Sequence, residues 1–157
     1  MNRTTRGIIL VLTSGIIWFA CFFAWFILSR AQNILADPAY QSQKFLDVFT
    51  TPPLPRINES MPLMIAGVYV IAVAATLAFL YLDDKLRGGW IKRGLEFGLI
   101  YFALMVPWFE FYLPFNVMHE PLVLVLLEAV LWLGTLLSFS LIISFVYNFR
   151  FNRDASE

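Results

Sequence analysis

Residues 7–29 read GIILVLTSGIIWFACFFAWFILS, 23 positions without a single charge. As a helix rising about 1.5 Å per residue, this stretch reaches across a hydrocarbon core of about 30 Å. Arg3 and Arg6 ahead of it, and Ser29-Arg30-Ala31 behind it, are flanks that a signal peptide would also carry. The apolar run is too long for one, because signal cores span about 7–15 residues. The stretch therefore predicts a first transmembrane helix.

Three further apolar runs follow. The second is Pro62–Leu82, where Ser60 is placed to cap the helix and Pro62 suits its first turn, which needs no N–H. It ends at Asp83-Asp84-Lys85-Leu86-Arg87 and Gly88-Gly89, a helix stop. The third is Trp90–Leu113, with Pro107 inside it, and the fourth is Pro121–Asn148. The expected fold is an all-α integral membrane protein. Four transmembrane helices (7–29, 62–82, 90–113 and 121–148) form a bundle in a single membrane domain over 1–157.

Composition agrees. Hydrophobic residues make up 60% of the 157 positions and charged ones 14%, against about 25% charged in soluble domains, and mean hydropathy is +0.74. That excludes a disordered chain, a coiled coil and a conventional soluble enzyme. Eleven basic residues balance eleven acidic ones, so nothing points to nucleic acid. Cys21 is the lone cysteine, which rules out an internal disulfide.

Lysine and arginine set the expected orientation. Arg3, Arg6, Lys85, Arg87, Lys92, Arg93, Arg150 and Arg153 fall on one side, and Arg30, Lys44 and Arg56 on the other. Eight against three predicts cytoplasmic termini and an inner-membrane location. Trp90, Tyr81 and Tyr147 then mark the inner boundary, and Trp25, Trp108 and Tyr112 the outer one. The outer loop, 30–60, is the only sizeable extramembrane segment. Phe45, Val48 and Phe49 share a face if 39–49 is helical, which predicts a short interfacial helix there. Residues 50–55, TTPPLP, read as a stiff connector.

Helices in lipid associate through close backbone approach or polar contacts. Small pairs four apart occur at Gly94/Gly98, Ala74/Ala78, Gly134/Ser138 and Ser140/Ser144. On the third span, Glu96, Ala103 and Glu110 form one stripe with Gly94 and Gly98 roughly opposite, so that span is expected to be the least lipid-exposed. Pro107 should kink it.

No catalytic motif is visible: no GxSxG, HExxH, P-loop or GxGxxG. Interest falls on ionisable residues at membrane depth. Glu128 lies seven residues beyond Pro121, about 10 Å along the helix, among Leu124, Leu127 and Leu131. A carboxylate there must be protonated, paired or beside water. Its expected partners are Trp132 and Glu110, and two carboxylates that close would not both ionise. Glu110 by itself is read as reaching the interface, Glu96 as a partner of Lys92 or Arg93, and Glu120 as a helix cap. Glu110, His119, Glu120 and Glu128 gather toward one end, but their spacing fits no metal template. No metal, haem or other cofactor is expected. Asp83, Asp84, Lys85 and Arg87 read as a solvated turn.

The stretch Gly94-Leu95-Glu96-Phe97-Gly98-Leu99-Ile100, the proline-containing turn after it, and Leu127-Glu128-Ala129 with its small-residue stripe resemble small uncharacterised four-helix bacterial inner-membrane proteins. The resemblance covers about a third of the chain. It implies a bacterial inner membrane and carries no activity. The functional expectation is a non-enzymatic protein acting by association in the lipid bilayer, as an accessory or assembly subunit of other membrane proteins or as a homo-oligomer. The alternative is a small proton- or cation-coupled channel or carrier using Glu128 and Glu110.

Overall fold

The computed structural model describes residues 3–55 and 60–148. Helix α1 is Arg3–Phe22, continued by a π-helical turn at Phe23–Leu28, and α2 is Ala31–Leu35. Helix α3 is Gln43–Thr50, α4 is Met61–Leu82, and α5 is Trp90–Glu110, continued by a π-helical turn at Phe111–Val117. Helix α6 is Leu122–Asn148. Four helices are long and apolar enough to cross a membrane: Thr4–Leu28, Met61–Leu82, Trp90–Val117 and Leu122–Asn148. Arg56, Arg150 and Arg153 of the charge count lie outside the described residues.

The third span runs four residues beyond its expected end. Pro114 brings no N–H to the helix, so the winding widens there instead of stopping. The Met118 N–H then reaches five residues back, to the Leu113 carbonyl at 2.9 Å. Pro107 is likewise accommodated inside α5.

At the start of α4 the expected Ser60 side-chain cap is absent. Ser60 contributes its carbonyl instead, accepting from the Met64 N–H at 3.0 Å. The loop helix begins later than the expected 39–49. Asp37 diverts residues 39–41 into a turn: its carboxylate accepts the Ala39 N–H at 2.9 Å, and its carbonyl accepts Tyr40 and Gln41. Ser42 Oγ then caps α3 by accepting the Phe45 N–H at 3.0 Å.

Helix α6 packs along α5 on one side and α1 on the other, and α1 also packs on α4. Leu10, Phe79, Leu136, Phe139 and Ile143 are completely buried between them. The α5–α6 contact depends on small residues. A Cβ at Gly94 would stand 2.9 Å from Leu141 Cα, and one at Gly98 would stand 2.9 Å from Leu137 Cδ2. Ser144 Oγ, on the same seam, donates to the Trp90 carbonyl at 2.7 Å.

Other packing expectations are corrected. The third span is not the most enclosed: 28% of its apolar window is buried, against 33% for the first and fourth. Its polar stripe breaks up, with Glu96 half-buried, Ala103 exposed and Glu110 enclosed. A seven-residue repeat drifts by about 20° per heptad around a straight α-helix. Ala74 and Ala78 both face outward, and Ala72, Ala75 and Thr76 form the buried side of α4. Gly134 and Ser138 receive a side chain rather than a helix backbone. The Trp25 ring occupies the space a Cβ at Gly134 would need, and Trp25 Nε1 donates to Ser138 Oγ at 3.0 Å. Tyr147, in the last turn of α6, is buried against Phe79.

Candidate functional site

The π-helical turn after α5 decides where Glu110 sits. Seven further helical residues follow it, so it lies about two turns inside the span instead of near its end. Glu110 is completely buried, which overturns the expectation that it reaches the interface. Neither carboxyl oxygen meets a hydrogen-bond donor among the described residues. The polar groups beside it are the Glu128 carboxyl and the Trp132 indole, both from α6. Glu128 itself is half-buried. Trp132 is held in place by Phe26 at 5.0 Å and Phe22 at 5.8 Å between ring centroids.

A buried carboxyl without a donor is costly. Two neighbours can relieve that cost: the Trp132 indole N–H as a donor, and Glu128 if it carries a proton, when the two carboxyls share one hydrogen between them. The pair can hold one proton or exchange it for another small cation.

Glu120 closes the same end of the bundle. It is 2% exposed, and it does not cap α6 as expected. Its Oε1 accepts from Gln41 Nε2 at 2.7 Å, and its Oε2 has no partner among the described residues. Burial, followed by the negative charge of Glu128, pushes its carboxyl up to about 7, against the lowering effect of the Gln41 hydrogen bond. Gln41 is also buried; it donates to the Leu35 carbonyl at 3.0 Å and accepts the Ser42 N–H at 2.8 Å. Ser42 Oγ donates to the Met118 carbonyl at 2.7 Å. The loop between α2 and α3 is therefore stitched over the turn that carries Glu120.

His119 stands apart from these acids. It is exposed, at a backbone φ of 59°. No group of three or more His, Cys, Asp or Glu among the described residues converges closely enough to hold a metal ion. Glu96 pairs with Lys92 at 3.7 Å at the other end of α5, remote from Glu110.

That other end holds a second polar cluster, which the sequence reading took for a solvated turn. Asp83 is completely buried. Its Oδ2 accepts from Arg93 at 2.9 Å and its Oδ1 from Asn148 Nδ2 at 3.0 Å. Arg93 Nε donates to the carbonyl of Gly88, which adopts a φ of 88°. This cluster is paired and hydrogen-bonded, in contrast to Glu110.

Gln41 and Asp83 are the polar residues that the sequence did not single out. Gln41 sits in a loop without periodicity, and Asp83 lies in a run of charges that resembles any exposed turn. Neither family models, curated proteins nor solved structures match this chain.

Proposed function

We propose that this chain is a multi-pass bacterial inner-membrane protein, with both termini cytoplasmic, whose acidic centre takes up and releases a proton or a small cation. The observation that carries this reading is Glu110: completely buried, with neither oxygen hydrogen-bonded among the described residues, and beside Glu128 within a pair of helices long and apolar enough to cross a membrane. Intramembrane acids of this kind are expensive to keep unless they are used. Full-length protein in proteoliposomes with an entrapped pH dye tests the reading. Ion or proton flux that Glu128→Gln abolishes supports it; folded protein that passes neither protons, sodium nor potassium overturns it.

A second reading, action by association as an accessory subunit or homo-oligomer, is favoured by a different observation. An apolar groove of about 530 Å³ runs along the outside of α1 and α4, lined by Ile16, Phe19, Phe23, Ile65 and Tyr69 among others. Only 22% of the apolar window of α4 is buried. Mild-detergent purification from the native source decides this reading: a stable companion protein, or a second copy, supports it.

A further inference from the structure

Resting on the proton-or-cation reading of the acidic centre, we propose that the centre exchanges protons specifically, that Glu120 is the group through which they pass on the loop side, and that residues 36–50 form a cap latched to Glu120 by Gln41. The acids are too dispersed to form a metal-ligand set among the described residues. The Glu110 and Glu128 carboxyls stand side by side, and two carboxyls so placed fit one shared hydrogen, one as donor and the other as acceptor. Glu120 lies in the turn between the two helices that carry them, and one of its oxygens is free to hold or release a hydrogen. Each transfer breaks one carboxyl O–H bond and leaves that pair of electrons on the donor oxygen. It forms one O–H bond on the accepting carboxylate or on water, so charge and atoms balance without a co-reactant.

The latch follows from which Glu120 oxygen is used. Gln41 donates to Oε1, which accepts whether or not Oε2 carries a hydrogen. The contact thus survives protonation. The groups acting on Glu120 are Gln41 from the loop, Glu128 from α6 and Glu110 from α5. His119 beside it is exposed. Ionised, Glu120 is a desolvated charge facing two further acids, so the docked cap favours its neutral form. Docked and 2% exposed, Glu120 has its carboxyl pushed up to about 7; undocking readmits water and lets it fall back toward the ordinary 4.5, and because that burial outweighs the opposing Gln41 bond, the docked state binds more protons across this window. Docking therefore weakens as pH rises through it.

Hydrogen exchange over residues 36–50 of the full-length protein in nanodiscs, corrected for the intrinsic pH dependence of exchange, tests the cap. Protection in wild type should fall by about tenfold or more between the two ends of that window, a factor of ten per unit of pKa difference. Glu120→Gln keeps an acceptor for Gln41 and cannot ionise, so its protection should stay high throughout. Gln41→Ala leaves every acid in place and should lower protection at every pH. Wild-type protection that ignores pH, or pH dependence that persists in Glu120→Gln, overturns the cap. Saturable uptake of sodium or calcium by the proteoliposomes overturns proton specificity. Glu128-dependent flux beneath a pH-insensitive cap defeats this proposal alone, whereas absence of any flux defeats the reading on which it rests.

Discussion

Trp25 lies against Gly134, with its indole Nε1 bonded to Ser138 Oγ at 3.0 Å. The π-helical turn that ends the first span delivers this ring, and Phe26 with it, onto α6. A side chain at Gly134 would have to displace the ring. Gly134→Leu should lower stability in detergent by about 1–3 kcal/mol, the usual cost of overpacking. Ser138→Ala, which removes only the hydrogen bond, should cost about 0.6 kcal/mol, near the average for polar contacts between membrane helices. Thermal unfolding followed by tryptophan fluorescence distinguishes the two, and equal losses would mean that the ring is not seated on Gly134.

At the opposite end, Arg93→Ala removes the guanidinium from a completely buried Asp83. Stranding one partner of a buried pair typically costs 3–5 kcal/mol. Arg93 is 26% exposed, so a loss of about 3 kcal/mol, at the low end, is expected here. Asp83→Asn should restore part of that loss in the Arg93→Ala background, because the buried charge that lost its guanidinium is gone. Reversible unfolding in mixed micelles measures both, and a double variant no more stable than Arg93→Ala would contradict the pairing.

Glu110 offers a sharper separation of stability from activity. Glu110→Leu replaces a buried carboxyl with an apolar side chain of similar size, so stability should hold or rise, by up to about 2 kcal/mol. Flux through the reconstituted protein should vanish. Loss of stability together with unchanged flux would assign Glu110 to packing.

Orientation is checked by thiol labelling in intact cells with Cys21 replaced. Gln43 and Asp84 are exposed at opposite ends of the bundle. With cytoplasmic termini, Gln43→Cys should react with an impermeant maleimide and Asp84→Cys should not. The reverse pattern would invert the topology.

The sequence exposed the four spans because long uncharged runs have few other physical solutions. It also pointed to Glu128 and to Glu110 as neighbours, since both had to find company at similar depth. What it hid was winding. Nothing in Phe23–Leu28 or Phe111–Val117 announces a π-helical turn to a reading based on period alone, yet those turns seat Trp25 and bury Glu110. The small-residue pairs were equally ambiguous: Gly94/Gly98 meets a helix, Gly134/Ser138 meets an indole, and Ala74/Ala78 meets neither. Spacing records that a surface is flat, not what comes to rest on it.

Asn148, in the last turn of α6, bonds to an aspartate 65 positions earlier in the chain. A polypeptide threaded into a bilayer from its N-terminus presents Asp83 and Arg93 while α6 is still being synthesised. Their ion pair spans the short connection between α4 and α5 and needs no part of α6. Asn148, from the end of α6, adds a hydrogen bond to the other carboxylate oxygen. With Asn148 in that place, Glu128, 20 residues back and about 30 Å away along the same helix, lies level with Glu110. A slip of one helical turn, about 5.4 Å, would break both contacts together. The longitudinal seating of the final helix is thus gauged twice, at two levels about 30 Å apart along one helix.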